Sequence, residues 1–566
     1  MIVRANAGPR PILLLLLAAA CCLPASCGGT TRAQDCRAGV VFEPGNGGEP
    51  STYWTCRGVP GPILVGVAKR DITPAVVEVM TVDVDGDKVW EPHDGDRFDD
   101  VDGDGEFDAV WIAGLDHPRP AAGVHDPIET RVLVLRAGGV TVAIVTADLI
   151  GLFYDETERL REAVSDLNVD YVVVVSSHNH EGPDTVGLWG TDELTSGVDP
   201  AYLELVRRRI EEAIREAYAG LRPARVRYGA TTPGEHAEKG VANVVSDSRD
   251  PVIVNERLTT LTFENPADGS VIATLVDFAA HPEYSGDRVD MLSADYVYWL
   301  RRGIESGVRE GATDLPGVGG TAIFVQGPLG SQIGPGRVTA TGLDGVDRSG
   351  YSREKAAAVG TLLAVGALRA IRESTPPEET MTLGFVRSRF EVTIENFGYH
   401  AMLLADVFRR SAHGYDPTRP LERGNYPKTW TEVSWLRLGR AHVLTFPGEP
   451  SPELLVGGYD GSHTPSIWPI VDETATNPPD LTRRPPGPYL FDRLRDLGAE
   501  YPMGWSTTND MLGYLMPSYD YELHPAAPYI EEAPGDHYEE TNSIGPNGWP
   551  TMETEFEQVL AGTQGR

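Results

Sequence analysis

One segment constrains this chain more than any other: Tyr171-Val172-Val173-Val174-Val175-Ser176-Ser177-His178-Asn179-His180-Glu181-Gly182-Pro183. Five residues of high β-propensity read as a buried strand. The strand runs into two histidines at i and i+2, then a Gly-Pro turn. In α/β proteins the carboxyl ends of strands floor the active site. Side chains at i and i+2 of an extended segment point the same way. Two imidazoles aimed at one spot above a rigid strand suit a metal ion better than they suit packing.

With 566 residues the chain can bury a large core and exceeds the usual size of one domain. Its formal net charge of −35 argues against nucleic acid and anionic membrane surfaces as partners. Solubility in an extracellular or salty medium accounts for that acidity. The amino terminus reads as a leader over 1–27: Arg4 and Arg10 precede an apolar run, Ile12 to Ala20, too short to span a bilayer. Leu23-Pro24-Ala25-Ser26-Cys27 resembles a lipobox with Cys27 as the lipidated residue, and Cys21 is a competing site. Export follows as an expectation, to the cell envelope as a lipoprotein or to the medium. Cys36 and Cys56 are the only cysteines beyond the leader. In an oxidising compartment they are expected to pair across a Gly/Pro-rich loop.

Residues 28–62 read as a linker carrying that loop. From Val65 strands and helices alternate. Helical spacing of Leu160, Ala163, Val164 and Leu167 predicts a helix over 156–167, and further helices are expected at 202–218, 293–305 and 353–372. Strands 258–263 and 271–278 form a hairpin about Asn265-Pro266-Ala267-Asp268-Gly269. Residues 384–395 and 432–446 add strands, and 458–510 reads mostly as loop. The pattern is one large layered α/β domain with mixed strand pairing, over 63–546, and a tail at 547–566.

Four places put metal-competent side chains at strand ends: His178-Asn179-His180, Ala280-His281-Pro282, Pro447-Gly448-Glu449, and Asp510-Met511-Leu512-Gly513-Tyr514. Each alone is a weak signal, since a histidine after a strand is usually structural and a Glu in a turn usually solvated. Their order along the chain is specific. His178-x-His180-x-Gly-Pro resembles the Thr-His-Thr-His-Ser-Gly-Pro motif of neutral ceramidases, and Arg70-Asp71-Ile72-Thr73-Pro74 resembles their amino-terminal Asp-Ile-Thr-Gly segment. Ala280-His281-Pro282, Pro447-Gly448-Glu449 and the stretch from Gly513-Tyr514-Leu515 to His537-Tyr538-Glu539 follow the family's order, from about residue 64 to 546.

The resemblance implies a layered, mixed-sheet ceramidase-like catalytic domain without the family's carboxyl-terminal immunoglobulin-like domain. It also implies a mononuclear Zn²⁺ held by His178, His281, Glu449 and Tyr514, with a position left open. His180 would stand beside the metal or contact the substrate carbonyl, and Tyr538 would hydrogen-bond the developing oxyanion. The activity implied is hydrolysis of an amide bond in a ceramide-like or other N-acyl substrate. One departure bears on mechanism. The family's nucleophilic serine falls on Ile333 when the loop is aligned on Leu329-Gly330, and Ser331 lies two residues earlier. A zinc-bound hydroxide or Ser331 would then supply the attack. A family arginine that contacts substrate has no clear counterpart near Asn243 to Arg249.

Two features stand apart. His125 could line the pocket or complete a second metal position with Asp148 or Asp295, although packing explains it as well. Asp100-x-Asp102-x-Asp104-Gly105-x-x-Asp108, within an Asp-rich insertion at 82–108, matches the opening of a calcium loop without its bidentate Glu. One or two structural Ca²⁺ ions are expected there, against a plain solvated acidic loop. The rival to a hydrolase is a surface lipoprotein that binds metal and ligand without catalysis; a metallohydrolase acting on another bond is a third reading.

Overall fold

The computed structural model describes residues 51–115, 118–192, 194–234, 238–334 and 337–563, together with the backbone of 37–42. Two sheets organise it. The strands are β1 (Arg37–Phe42), β2 (Ser51–Arg57), β3 (Gly61–Asp71), β4 (Glu129–Ala137), β5 (Val140–Ala147), β6 (Tyr171–Ser176), β7 (Arg222–Thr231), β8 (Leu258–Glu264), β9 (Val271–Phe278), β10 (Thr321–Gln326), β11 (Leu383–Thr393), β12 (Lys428–Leu438), β13 (Ala441–Thr445) and β14 (Tyr501–Trp505). One sheet runs β10-β9-β8-β7-β3-β4-β5-β6, with Thr380–Met381 added alongside β3; the other runs β1-β2-β11-β12-β13-β14.

The run of valines in β6 is explained by its two neighbours. Val173 and Val175 enter the core between the sheets, with Leu133, Leu135, Leu436 and Trp505. Val172 and Val174 face the other way, into a core with helix α2 (Pro200–Ala219). A strand buried on both faces has no use for polar alternation. Helices α3 (Asp295–Ser306) and α4 (Arg353–Arg372) cover the rest of that outer face. Phe491 and Leu494, with Phe556 and Leu560, cover the outer face of the six-stranded sheet. The result is helices, sheet, sheet, helices.

Two boundaries differ from the sequence reading. The stretch read as linker contains β1 and β2, which extend the six-stranded sheet from β11. The stretch read as a tail contains the helix Gly548–Thr563, whose Trp549, Phe556 and Leu560 pack on that sheet. Cys56 is buried and disulfide-bonded; Cys36 and the leader with Cys27 lie outside the described residues. Among the described residues no helix is long and apolar enough to cross a membrane.

Only three strand pairs in the two large sheets are parallel: β5 with β6, β9 with β10, and β13 with β14. Their carboxyl ends lie together. Asn509 N–H donates to Val174 O at 2.7 Å, Ser506 N–H to Gln326 O at 3.0 Å and Thr507 N–H to Gly448 O at 2.9 Å. The loop after β14 thus ties the ends of β6, β10 and β13 into one floor.

A charged clasp holds the sheets beside that floor. Glu432 of β12 is fully buried and accepts from both guanidinium nitrogens of Arg161 (2.8 and 3.1 Å), from Arg387 (2.7 Å) and from the Tyr171 hydroxyl (2.6 Å). Burial pushes its carboxyl up, but Arg161 and Arg387 outweigh it and hold it down to about 2. A carboxyl depressed on folding adds stability above its unfolded pKa and loses it as pH falls through the folded one. Acid should therefore erode this contribution between about 4.5 and about 2. Glu432→Gln is expected to melt lower at neutral pH and to show a flatter acid limb. Parallel Tm–pH curves for the two proteins would contradict this.

Candidate metal centre

His178 follows β6 in the left-handed region, at φ +62°. An L-residue held there costs about 1–2 kcal/mol, so neighbouring bonds must enforce it. Ser177 N–H donates to Ala147 O (2.8 Å), Asn179 N–H to Leu149 O (3.1 Å) and His180 N–H to Pro282 O (3.0 Å). The pairing of His178 and His180 is therefore made by a turn. It does not come from the same-side projection of an extended strand, as their spacing suggested. Gly114 makes room for it, since a Cβ there would lie 2.4 Å from His180 Cγ.

His281 follows β9. Its N–H donates to Gln332 O at 3.0 Å, and its Nδ1 lies 3.2 Å from the same oxygen. His178 Nδ1 meets Ile150 O at 2.8 Å. Each carbonyl takes a ring N–H and leaves Nε2 to face inward. Glu449 and Tyr514 are register partners in a short parallel bridge, which sets their side chains side by side.

The donors converge. Glu449 Oε2 is 3.3 Å from His178 Nε2 and 3.2 Å from His281 Nε2. Two metal bonds of about 2.0–2.1 Å at a tetrahedral angle span roughly 3.3–3.4 Å, so these separations suit ligands of one ion. His178, His180 and His281 each bring a ring nitrogen within 4.8 Å of the others. Tyr514 is buried and rests 6.4 Å from His281, centroid to centroid. Burial, then the Glu449 charge, pushes its phenol up. Glu449 is opposed by burial, yet the His178 charge and hydrogen bonds from His178 and His281 hold it at about 2. Burial lowers His281, and its bond to Glu449 more than restores it. Two imidazoles and a carboxylate thus meet at one point with the Tyr514 ring beside them, donors of the kind that hold a divalent metal ion.

His180 stands apart in its bonding. It is buried, and neither ring nitrogen has a hydrogen-bond partner. Its Nδ1 lies 3.3 Å from Glu283 Oε2. Burial, and then the charges of His178 and His281, push it well below the usual histidine range. Behind it Arg119 is fully buried and donates to Ala113 O (2.7 Å), His180 O (2.9 Å) and Gly286 O (3.2 Å), and faces Glu181 at 3.6 Å.

A cavity of about 600 Å³ opens onto His180, Glu283, Tyr514 and Tyr538, with Leu188, Trp189, Ile333 and Met402 in its wall. Tyr538 is 45% exposed and lies 5.9 Å from Tyr514, ring to ring, so its hydroxyl is accessible from the cavity side. The position where the resemblance places a nucleophilic serine thus presents an isoleucine to the cavity. Ser331 is buried at φ +63°, and burial raises the neighbouring Asp247 carboxyl to about 8. Arg249 sits outside this wall, bound to Asp520, Glu539 and Glu540.

His125 does not line the cavity; its Nδ1 meets Asp126 at 3.1 Å. Asp148 is held by both nitrogens of Arg301 (2.9 and 2.7 Å), and Asp295 by Tyr284, Ser285 and Tyr296. Both carboxylates are engaged in structural bonds, and among the described residues His125 belongs to none of the clusters of metal-competent side chains. In the acidic insertion, Asp102, Asp104 and Asp108 have oxygens within 4.8 Å of one another, as do Glu78, Asp100 and Asp102, and Asp83, Asp85 and Asp87. Many of these oxygens already accept backbone N–H groups: Asp100 takes those of Gly103 and Gly105, and Glu78 those of Val101 and Asp108. Calcium there rests on ligand type and spacing alone.

Sequence reasoning missed Arg119, Glu283 and the apolar wall. Only Glu283, two residues beyond His281, stood near a motif.

No family model matches the chain, and no curated protein matches it. Solved structures do. The crystal structure of neutral ceramidase from Pseudomonas aeruginosa aligns with a TM-score of 0.57 at 14% identity, over 88% of this chain and 74% of that one. A ceramidase complexed with C2 aligns with a TM-score of 0.57 at 14% identity, over 89% and 75%. The fold is that of neutral ceramidases, in a strongly diverged sequence.

Proposed function

We propose that this protein is a zinc-dependent hydrolase of an amide bond in a lipid-like N-acyl substrate, with water as the attacking group. The observation that carries this reading is the convergence of His178, His281, Glu449 and Tyr514 beside a cavity with an apolar wall. Zinc on those four residues would supply Lewis-acid polarisation at the substrate carbonyl. The chain's own part is positional. Ile150 O and Gln332 O orient the two histidines, and the apolar wall takes aliphatic parts of the substrate. His180 and Tyr538 are the groups available to donate to the oxyanion as it forms.

Water is favoured over serine because Ile333, at the position where the resemblance places the serine, has no nucleophilic atom, while Ser331 is buried and is not among the described lining residues of the cavity. Ser331→Ala is therefore expected to keep turnover within about threefold of wild type, the size of effect that follows from losing one hydrogen bond outside the reacting groups. Release of fatty acid from a fluorescent N-acyl-sphingosine, measured beside zinc content, checks this. Loss of activity with zinc retained would instead make Ser331 the nucleophile. The second reading, a metal-bound binding protein, is motivated by the same missing serine; it gains if the zinc-loaded wild type hydrolyses no acyl amide.

A further inference from the structure

We propose that the cavity takes an organic ammonium group, with Glu283 and Asp287 as its carboxylate partners. The inference rests on the hydrolase reading in one respect: the amine set free when the amide bond is hydrolysed would carry that charge. Glu283 is only 4% exposed and lines the cavity, and its Oε1 has no hydrogen-bond partner. A buried carboxylate oxygen left unpaired is expensive, on the order of several kcal/mol, and such groups persist where a ligand supplies the missing donors. Glu449 is the carboxylate that touches His178 and His281; Glu283 lies beside them, with its Oε2 3.3 Å from His180 Nδ1 and its Oε1 left over.

Asp287 lines the same cavity four residues on, past Gly286, whose φ of +99° turns the chain under the Tyr351 ring. No Lys or Arg is among the described lining residues. The charge of −35 on the whole chain adds a field that draws cations. The rest of the cavity decides what kind of cation. A small metal ion gains nothing from about 600 Å³ walled by Leu188, Met402, Trp189 and Tyr351, whereas an alkylammonium buries its stem there and meets ring faces with its charge.

The test is calorimetric binding of octylamine and octan-1-ol to the zinc-loaded protein, with hydrolysis of a neutral N-octanoyl amide assayed on the same samples. Octylamine should bind at least about tenfold tighter than the alcohol, a preference that weakens with salt. It should shrink towards parity in Asp287→Asn, a partly exposed position whose change leaves the core intact, and in Glu283→Gln. Equal affinities in the wild type, or a preference unchanged in both variants, would overturn the inference. So would displacement of octylamine by one equivalent of Mg²⁺ or of additional Zn²⁺, which would make this a metal site. Hydrolysis without amine preference removes this inference alone; amine preference without hydrolysis removes only the hydrolase reading.

Discussion

His178→Ala is expected to lose bound zinc and N-acyl amide turnover together. Zinc should fall from about one ion per chain to near zero, and turnover by roughly 10³-fold or more, because both depend on the same ligand set. The variant removes the ring that Ile150 O orients and that stands 3.3 Å from Glu449 Oε2. It also places alanine at φ +62°, where misfolding could imitate metal loss. His178→Asn answers that, since asparagine tolerates the left-handed region. It should fold like the wild type by circular dichroism and still lack zinc. Zinc retained in His178→Asn, or turnover retained in either variant, would remove His178 from the centre.

Arg119→Met should give the largest loss of stability, about 3–5 kcal/mol, the usual result of deleting one member of a buried ion pair. The substitution removes the guanidinium that faces Glu181 at 3.6 Å, a carboxyl that burial already pushes well above the usual range, and it removes donors from three carbonyls, among them His180 O. Denaturant unfolding reads it directly. Adding Glu181→Leu should recover part of the loss, because the unpaired carboxylate goes with it. If Arg119→Met unfolds at the wild-type midpoint, the pair does not hold the His180 loop.

Much of the architecture was legible. The valine run of β6 and the hairpin of β8 and β9 are local patterns, and helix 353–372 was read at its observed bounds. What was misread depended on distant partners. Residues 37–57 are poor in regular patterning and rich in glycine, yet β11 offers a strand edge that β2 completes. The terminal helix was taken for a tail because its apolar face means nothing until the six-stranded sheet supplies a partner. The histidine pair shows the same limit from the other side. The right two residues were named, but an extended-strand argument brought them together, where the structure uses a left-handed turn locked by three backbone hydrogen bonds.

The sequence by itself determined the donor types and their order: histidines after β6 and β9, a carboxylate after β13, a tyrosine after β14. Strand propensity and turn chemistry place the two histidines and the carboxylate; the tyrosine follows a stretch that reads as loop, and its place in the set is what the resemblance to neutral ceramidases implies. Tertiary structure decided which of them meet. His281 and Glu449 are 168 positions apart and touch because two sheets place the ends of their parallel pairs on one floor. It also decided that Ile333 faces the cavity while Ser331 is buried outside its lining, and that Glu283 enters the wall. No local pattern carries that information, because a side chain's surroundings at a loop are set by packing between elements far apart in the chain.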